Sequence, residues 1–299
     1  MYRDLKGFAK FISIERGLML FLVTIGATFL TVESLAWSNA IFLGLIVFCV
    51  WSGVDAINNV FDVDLDALSD PSRAEYTRKL GKTGLFVATV FSALSLGLGV
   101  VTMSPFVILF IMIGILFGVL YSVPPFRLRK TACKPLVNFT VGAVPVLIVA
   151  AFFDVFSVNM VILVLTIGIT TAINSLWEDL ADYSSDSANG ARTVPIILGF
   201  RRGLFFTLAM GYCLVPLMIL VGMLFQLHSL HYFVLFALAV FVSLRLRQQR
   251  STLFGSKKTD TKKLLEAGEI LAKDFVIVAI IYTLSLVVSS YLKISPFLF

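Results

Sequence analysis

The sequence predicts an all-α, polytopic membrane protein with nine transmembrane helices. Hydrophobic residues make up 59% of the 299 residues and charged residues only 14%, whereas soluble proteins average roughly 25% charged residues. Apolar runs that are long enough to cross a bilayer, about 20 residues each, recur along the whole chain. A run such as 106–113 has no polar stripe, which argues against a buried helix of a large soluble protein.

Polar segments separate the spans. The first span follows residues 1–16, which contain no cleavage site of a signal peptide. The second and sixth spans each run into an acidic motif, the third follows Lys82, and the eighth follows a loop at His228. Pro145 and Pro216 are expected to kink the fifth and seventh spans, and the ninth span follows the longest basic connection. We place the spans at 17–36, 39–61, 83–102, 104–122, 135–153, 157–178, 200–223, 228–246 and 274–292.

The placement of lysine and arginine predicts the orientation. With nine spans, the amino terminus and the connections after spans two, four, six and eight share one side of the membrane. That side holds every one of the 24 lysines and arginines except Lys293. The positive-inside rule therefore predicts a multi-pass cell-membrane protein with its amino terminus in the cytoplasm and its carboxyl terminus outside. The net charge of +6 then reflects topology and contact with anionic headgroups, and we expect no nucleic-acid partner.

The amino-terminal segment and the cysteines suggest smaller features. Leu5, Phe8, Phe11 and Ile12 are spaced to form an amphipathic helix at the membrane interface. The three cysteines are scattered along the chain and suggest neither a disulfide framework nor a zinc site.

An acidic motif occurs twice, at the ends of the second and sixth spans. Three polar side chains follow one another at intervals of four residues: Asn58, Asp62 and Asp66 in the first copy, and Glu178, Asp182 and Asp186 in the second. This spacing places each set on one face of a helix. Neighbouring carboxylates repel each other unless a cation or protons relieve them. The two motifs therefore predict a metal site on the cytoplasmic side.

Basic residues near both motifs indicate which ligand accompanies the metal. Arg73 and Lys82 follow the first motif, Arg192 follows the second, and the segment 121–130 adds further cations on the same side. Mg²⁺ typically binds one or two carboxylates together with the phosphate oxygens of a substrate. Carboxylates beside arginines and lysines therefore suit a diphosphate. The alternative is a solvated loop of mixed charge, which is common at helix ends.

Three segments together resemble the UbiA superfamily of intramembrane prenyltransferases. They are Asn58-x-x-x-Asp62-x-x-x-Asp66 followed by Arg73, Tyr121-Ser122-x-Pro124-Pro125-x-Arg127-Leu128, and Asp179-x-x-Asp182-x-x-x-Asp186-x-x-x-Gly190-x-Arg192-Thr193. The resemblance covers the chain from about Arg16 to the last span and implies one domain over 1–299. It implies nine helices around a central cavity that opens to the cytoplasm, capped by the connecting segments. It also implies transfer of a prenyl group from an allylic prenyl diphosphate to an acceptor.

The resemblance also implies roles for individual residues. Asn58, Asp62 and Asp66 would bind one Mg²⁺, and Asp182 and Asp186 a second. Asp179 would be a further ligand, or would orient the acceptor or take its proton. The implied substrate-binding residues, some closer to the family pattern than others, are Arg16, Asn58, Arg73, Lys82, Tyr121, Arg127, Arg129, Lys130 and Arg192. The chain departs from the family at Asn59, where Asp is frequent, and at 74–78, which replace a proline-rich stretch.

The nature of the acceptor is the least constrained feature. The second motif and the basic cytoplasmic rim favour a membrane-associated acceptor, either an aromatic quinone precursor or a glycerol-phosphate lipid such as geranylgeranylglyceryl phosphate. Two other classes are the alternatives. A CDP-alcohol phosphotransferase would carry an Asp-Gly-x-x-Ala-Arg signature, which the sequence lacks. A transporter would hold its charged residues near the bilayer midplane, whereas these acids lie at the ends of spans.

Overall fold

The chain folds into an all-helical bundle with the predicted number of membrane-spanning helices. The computed structural model describes residues 2–32, 36–64, 67, 71–254 and 261–295, and within these ranges it contains no β-strand. Nine of the described helices are long and apolar enough to cross a membrane. We number them α1 Ile14–Thr31, α2 Trp37–Phe61, α3 Lys82–Val101, α4 Pro105–Ser122, α5 Lys134–Phe153, α6 Val158–Ala181, α7 Phe200–Leu224, α8 Ser229–Gln248 and α9 Thr261–Ile294.

Short helices lie in the connections that were predicted to be cytoplasmic. They are Tyr2–Phe11, Pro71–Leu80, the 3-10 helix Leu128–Lys130, Tyr183–Ala188, Val194–Leu198 and Arg250–Phe254. Asp66 belongs to the connection between the second and third spans but lies outside the described residues.

Two span boundaries differ from the sequence prediction by five residues or more. The first helix starts at Ile14 and ends at Thr31, where Val32 takes an extended conformation, so the predicted end at residue 36 is wrong. The last helix starts at Thr261, well before the predicted residue 274. Its first turns carry charged residues such as Lys263 and Glu266. Hydropathy detects only the apolar part of a helix, so it misses turns that extend beyond the membrane.

Four helices form the centre of the bundle and bring the two acidic motifs to one end. More than half of the most apolar part of α1, α2, α5 and α6 is buried, compared with 11% for α8, which faces the surroundings. The tightest pair is α5 and α6, where Gly142 lets the two backbones approach. A Cβ at Gly142 would lie 2.7 Å from the carbonyl oxygen of Ile167. Small residues at helix crossings are typical of membrane bundles, which gain stability from close packing.

The amino-terminal helix Tyr2–Phe11 packs on the protein rather than only on the membrane. Leu5 is exposed, as expected for an interfacial helix, but Phe11 and Ile12 are buried. They pack in a hydrophobic cluster with residues of α2 and α3. The amphipathic helix is therefore present, although three of the four predicted apolar residues, Phe8, Phe11 and Ile12, pack on the protein, and Ile12 lies just after the end of the helix.

Candidate functional site

The first acidic motif begins where α2 ends. Asp62 follows the last residue of the helix, and its backbone N–H donates to the carbonyl of Asn58. The Asp62 carboxylate is 1% exposed. Its Oδ2 lies 2.6 Å from Nη1 of Arg129 and its Oδ1 lies 3.6 Å from Nη2 of Arg127. Asn58 accepts a 2.8 Å hydrogen bond from the hydroxyl of Ser122, which ties this motif to the end of α4.

The segment after α4 presents the arginines that contact Asp62. It contains a cis peptide between Pro124 and Pro125, and Arg127 has a left-handed backbone with φ of 41°. The side chain of Arg127 donates a 2.8 Å hydrogen bond to the carbonyl of Phe61 at the end of α2. A cation at this position pairs a carbonyl that has no partner within the helix, and it interacts favourably with the negative end of the helix dipole.

The second acidic motif has the same arrangement at the end of α6. Asp182 caps α6, and its N–H donates to the carbonyl of Glu178. Asp186 lies in the short helix that follows, and the chain then turns at Gly190, which has φ of 67°. The N–H of Arg192 donates a 2.7 Å hydrogen bond to the carbonyl of Lys130. This bond joins the segment after the second motif to the arginine-bearing segment after α4.

Arg129 connects the two motifs electrostatically. It forms the ion pair with Asp62 in the first motif, and its charge also acts on Glu178, Asp182 and Asp186 in the second. Removal from water, more than any neighbouring charge, raises the pKa of Asp182, and the like charge of Asp186 adds to the rise. Asp186 has its pKa raised for the same main reason. Both acids are therefore crowded by protein even though Asp182 still reaches solvent.

A buried lysine lies beneath the second motif. Lys134 starts α5 and is 7% exposed, and its Nζ lies 2.6 Å from Oδ1 of the fully buried Asp179. The same Nζ lies 3.8 Å from Oε2 of Glu178. The sequence signalled Lys134 only as one of the cytoplasmic cations. Lys134 and Asp179 are 45 residues apart in the sequence, so no local sequence pattern predicted that they pair.

Glu178 joins the second motif to α1. Nη2 of Arg16 lies 3.3 Å from Oε1 of Glu178, and the side-chain amide of Asn174 donates to the same oxygen at 3.0 Å. The sequence placed Glu178 in the repeated pattern but gave it no role. The structure shows that it partners Arg16, which is one of the predicted substrate-binding residues.

A cavity of about 380 Å³ lies below these residues, among α1, α2, α5, α6 and α9. Arg16 and Glu178 line its polar end, and the remaining wall is largely apolar. Leu18 of α1 and Ile280 and Leu284 of α9 line the cavity and are also exposed on the outer surface. The cavity therefore opens sideways between α1 and α9, towards the lipid.

The other predicted substrate-binding residues lie around this end of the bundle. Arg73 is half-buried on the helix Pro71–Leu80, and its charge acts on Asp55 of α2. Tyr121, on the last turn of α4, is close enough to Lys134 for their charges to interact. The side chain of Arg192 is exposed beside the second motif. Lys82 is exposed at the start of α3, and the described contacts do not join it to either motif.

The chemistry of these side chains fits Mg²⁺. Both carboxylate oxygens of Asp62 are buried and meet the charges of Arg127 and Arg129 rather than a well-aligned hydrogen-bond donor. Asp182, which is exposed, and Asp186, which is half-buried, follow the end of α6. Hard oxygen donors of this kind are the ligands that Mg²⁺ prefers. Among the described residues, which omit Asp66, no three carboxylate, imidazole or thiol groups already converge on one point.

Comparison with known proteins establishes the family. Over the described residues, the structure is a bundle of nine candidate membrane-spanning helices with paired acidic and basic side chains at one end. The chain belongs to the UbiA prenyltransferase family, whose model matches residues 19–266. A digeranylgeranylglyceryl phosphate synthase of Methanoculleus marisnigri is 29% identical over 57% of this chain and 61% of its own length. A probable homogentisate phytyltransferase 2 of Oryza sativa subsp. japonica is 29% identical over 30% of this chain and 24% of its own.

Solved structures show the same fold. A digeranylgeranylglyceryl phosphate synthase structure has a TM-score of 0.68, with 18% identity over 96% of this chain and 98% of the other. A UbiA homologue from Archaeoglobus fulgidus bound to DMAPP and Mg²⁺ has a TM-score of 0.66, with 15% identity over 96% and 99% of the two chains. The apo structure of a UbiA homologue from Aeropyrum pernix K1 has a TM-score of 0.61, with 17% identity over 87% and 97%. The predicted all-helical, nine-span fold is thus confirmed.

Proposed function

We propose that the protein transfers a prenyl group from an allylic prenyl diphosphate to a membrane-associated acceptor, with Mg²⁺ as cofactor. One observation carries this proposal. Arg129 forms an ion pair with Asp62 of the first motif, and its charge acts on Asp182 and Asp186 of the second. Two acidic motifs with a shared cation, next to a largely apolar cavity that Glu178 of the second motif lines, suit a diphosphate head with a hydrocarbon tail. The A. fulgidus homologue of the same fold binds DMAPP and Mg²⁺, which supports the proposal.

Each of the two motifs would bind one metal ion. Asn58, Asp62 and Asp66 would hold one ion, and Asp182 and Asp186 a second. When bound, Mg²⁺ supplies positive charge that stabilises the diphosphate as it departs. Ser122 holds the side chain of Asn58 in place through a 2.8 Å hydrogen bond. The arginines around Asp62 exchange that carboxylate for diphosphate oxygens when the substrate binds.

The protein's own residues favour ionisation of the donor. Cleavage of the allylic carbon–oxygen bond leaves its electron pair on the diphosphate and a positive charge on the prenyl carbon. Arg73, Arg127, Arg129, Lys130 and Arg192 are the cations that meet the developing negative charge. Fixed donors in a site of low dielectric stabilise such charge more strongly than water does.

The cavity protects the cationic carbon and holds the tail. Its wall is largely apolar, so it excludes water that would quench the carbocation. The ring of Tyr121 faces this end of the bundle, where its π-face attracts a cation. Each methylene of the prenyl tail that leaves water contributes about 0.8 kcal/mol. The sideways opening between α1 and α9 lets a lipidic substrate enter from the bilayer.

The acceptor is an aromatic quinone precursor or a glycerol-phosphate lipid, and it attacks the prenyl carbon and loses its proton. The similarity to a digeranylgeranylglyceryl phosphate synthase supports the second class, and the similarity to a homogentisate phytyltransferase supports the first. Glu178 lines the cavity and is better placed than the buried Asp179 to contact the acceptor. We place the site mouth and the amino terminus on the cytoplasmic side, because the basic residues cluster there.

A direct test offers several acceptors to the purified protein. The protein is incubated with Mg²⁺ and radiolabelled geranylgeranyl diphosphate, together with a hydroxybenzoate, a dihydroxynaphthoate or geranylgeranylglyceryl phosphate. We expect label to move to one of them, and only when Mg²⁺ is present. Hydrolysis of the donor without transfer would retain the donor chemistry and refute these acceptors. A donor that stays intact under every condition would refute the proposed function itself.

A further inference from the structure

We infer that Lys134 is a positioning residue that acts as a fixed cation of the second acidic motif, and that Asp179 is its counter-ion rather than a metal ligand. This inference rests on the proposed metal-dependent function. It assigns a role to a residue outside both acidic motifs, and it chooses among the roles that were open for Asp179.

The geometry separates Asp179 from the other acids of the motif. Its Oδ1 lies 2.6 Å from Nζ of Lys134, and both residues are buried, at 0% and 7% exposure. Asp182 and Asp186, by contrast, reach solvent to some extent. A short, charge-assisted hydrogen bond of this kind fixes both partners. Lys134 thereby holds the last turn of α6, from which Asp182 emerges.

The charges of the second motif account for the arrangement. Glu178, Asp179, Asp182 and Asp186 carry four negative charges within nine residues. Lys134 pairs with Asp179, and Arg16 pairs with Glu178. The two remaining charges match those of a single divalent cation. The charge of Lys134 also acts on Asp182 and Asp186, so it reaches the whole motif.

Stability alone does not explain a buried lysine at this place. Replacing a buried ion pair with apolar side chains of similar volume is often neutral or stabilising. A pair retained at the base of an acidic site is therefore explained by the charge it provides there. The second oxygen of Asp179, Oδ2, is buried and has no hydrogen bond among the described residues. A metal-ligand role for Asp179 is thus the alternative that an experiment must exclude.

The test counts divalent ions without using enzyme activity. Binding of Mn²⁺ is followed by electron paramagnetic resonance on the full-length protein in nanodiscs, in an Asp62→Asn background that isolates the second motif. Lys134→Met removes a positive charge close to the ion, so we expect Mn²⁺ to bind about tenfold more tightly. Asp179→Asn leaves the charge of Lys134 unpaired, so it should weaken binding about tenfold, whereas Asp186→Asn removes a ligand as well as a charge and should weaken it about 100-fold or more. Lys273→Met, at an exposed lysine of α9, is the matched control and should change nothing.

A double variant keeps the test decisive if Lys134→Met does not fold. Lys134→Met with Asp179→Leu removes both charges, so it should fold and bind Mn²⁺ within threefold of the parent. Unchanged or weaker binding in folded Lys134→Met would overturn the inference. So would an Asp179→Asn variant that loses as much affinity as Asp186→Asn, or a double variant that loses tenfold or more. Because Mn²⁺ is counted without substrate, these outcomes stand even if no acceptor is prenylated.

Discussion

Replacing Asn59 with aspartate should release the amino-terminal helix from the bundle. Asn59 is 1% exposed, and its side-chain amide donates a 2.6 Å hydrogen bond to the carbonyl oxygen of Phe11. A carboxylate cannot donate this bond, and it would place a negative charge against the carbonyl oxygen. The structure therefore gives a local reason why this position needs an amide rather than an acid.

The magnitude follows from what else holds the helix. An uncompensated buried charge destabilises by roughly 3–5 kcal/mol. The other anchors are modest: Nζ of Lys10 donates a 2.9 Å hydrogen bond to the hydroxyl of Ser72 in an exposed position, worth about 1 kcal/mol. Gly7 packs directly against the ring of Tyr76, and burial of Phe11 contributes about 1.5–3 kcal/mol. The cost of the buried charge is therefore comparable with the sum of the contributions from the Lys10–Ser72 bond and Phe11.

Hydrogen exchange followed by mass spectrometry measures the release. Amides of the segment 5–12 should exchange at least 100-fold faster in Asn59→Asp, because opening free energy sets their protection. Asn189→Asp is the control, since it removes an amide donor at an exposed position, and it should leave this segment unchanged. The released helix packs on Pro71–Leu80, which carries Arg73, so the KM for the allylic diphosphate should also rise. Unchanged protection in a folded Asn59→Asp protein would refute the reasoning.

Two further predictions concern the substrate cations and the topology. Arg73→Ala and Arg192→Ala should each lower kcat/KM for the allylic diphosphate by about tenfold or more. Lysine at either position should restore activity only partly, because it lacks the bidentate fork of arginine. Unaltered donor kinetics in both alanine variants would show that these side chains only solvate the loops. In a background with all three cysteines replaced by serine, Gln226→Cys should react with an impermeant thiol reagent in intact cells and Gln248→Cys should resist it. These exposed residues mark opposite ends of α8, because Gln226 lies in the connection before that helix and Gln248 is its last residue. The reverse pattern would invert the orientation.

The fold could be predicted from the sequence because the pattern that indicates a membrane helix is local. Each span is an apolar run, so composition alone located the nine membrane-spanning helices of the described residues. The larger errors occurred at helix ends, because α1 ends at Thr31, before the predicted residue 36, and α9 extends into charged residues before residue 274. The acidic motifs were also visible, because their interval of four residues matches the helix. Their placement at the ends of α2 and α6 agrees with that prediction.

The contacts between segments could not be predicted in the same way. Lys134 and Asp179 pair across 45 residues, and Asn59 meets Phe11 across 48. Such partners are set by how helices pack, which hydropathy and spacing do not specify. Sequence pattern therefore identified the acids of the site, whereas the structure identified the cations and amides that hold them.

The most direct test of the central claim is Mg²⁺-dependent ionisation of radiolabelled geranylgeranyl diphosphate by the wild-type protein and by variants of each acidic motif. Asp66→Ala and Asp186→Ala should insert and fold, as judged by thermal unfolding, because each changes one polar residue outside the apolar spans, and Asp186 is only half-buried in the short helix after α6. Each should abolish release of diphosphate, and a chelator should abolish it in the wild type until Mg²⁺ is restored. Near-normal release by either folded variant in saturating Mg²⁺ would contradict a site built from two metal-binding motifs.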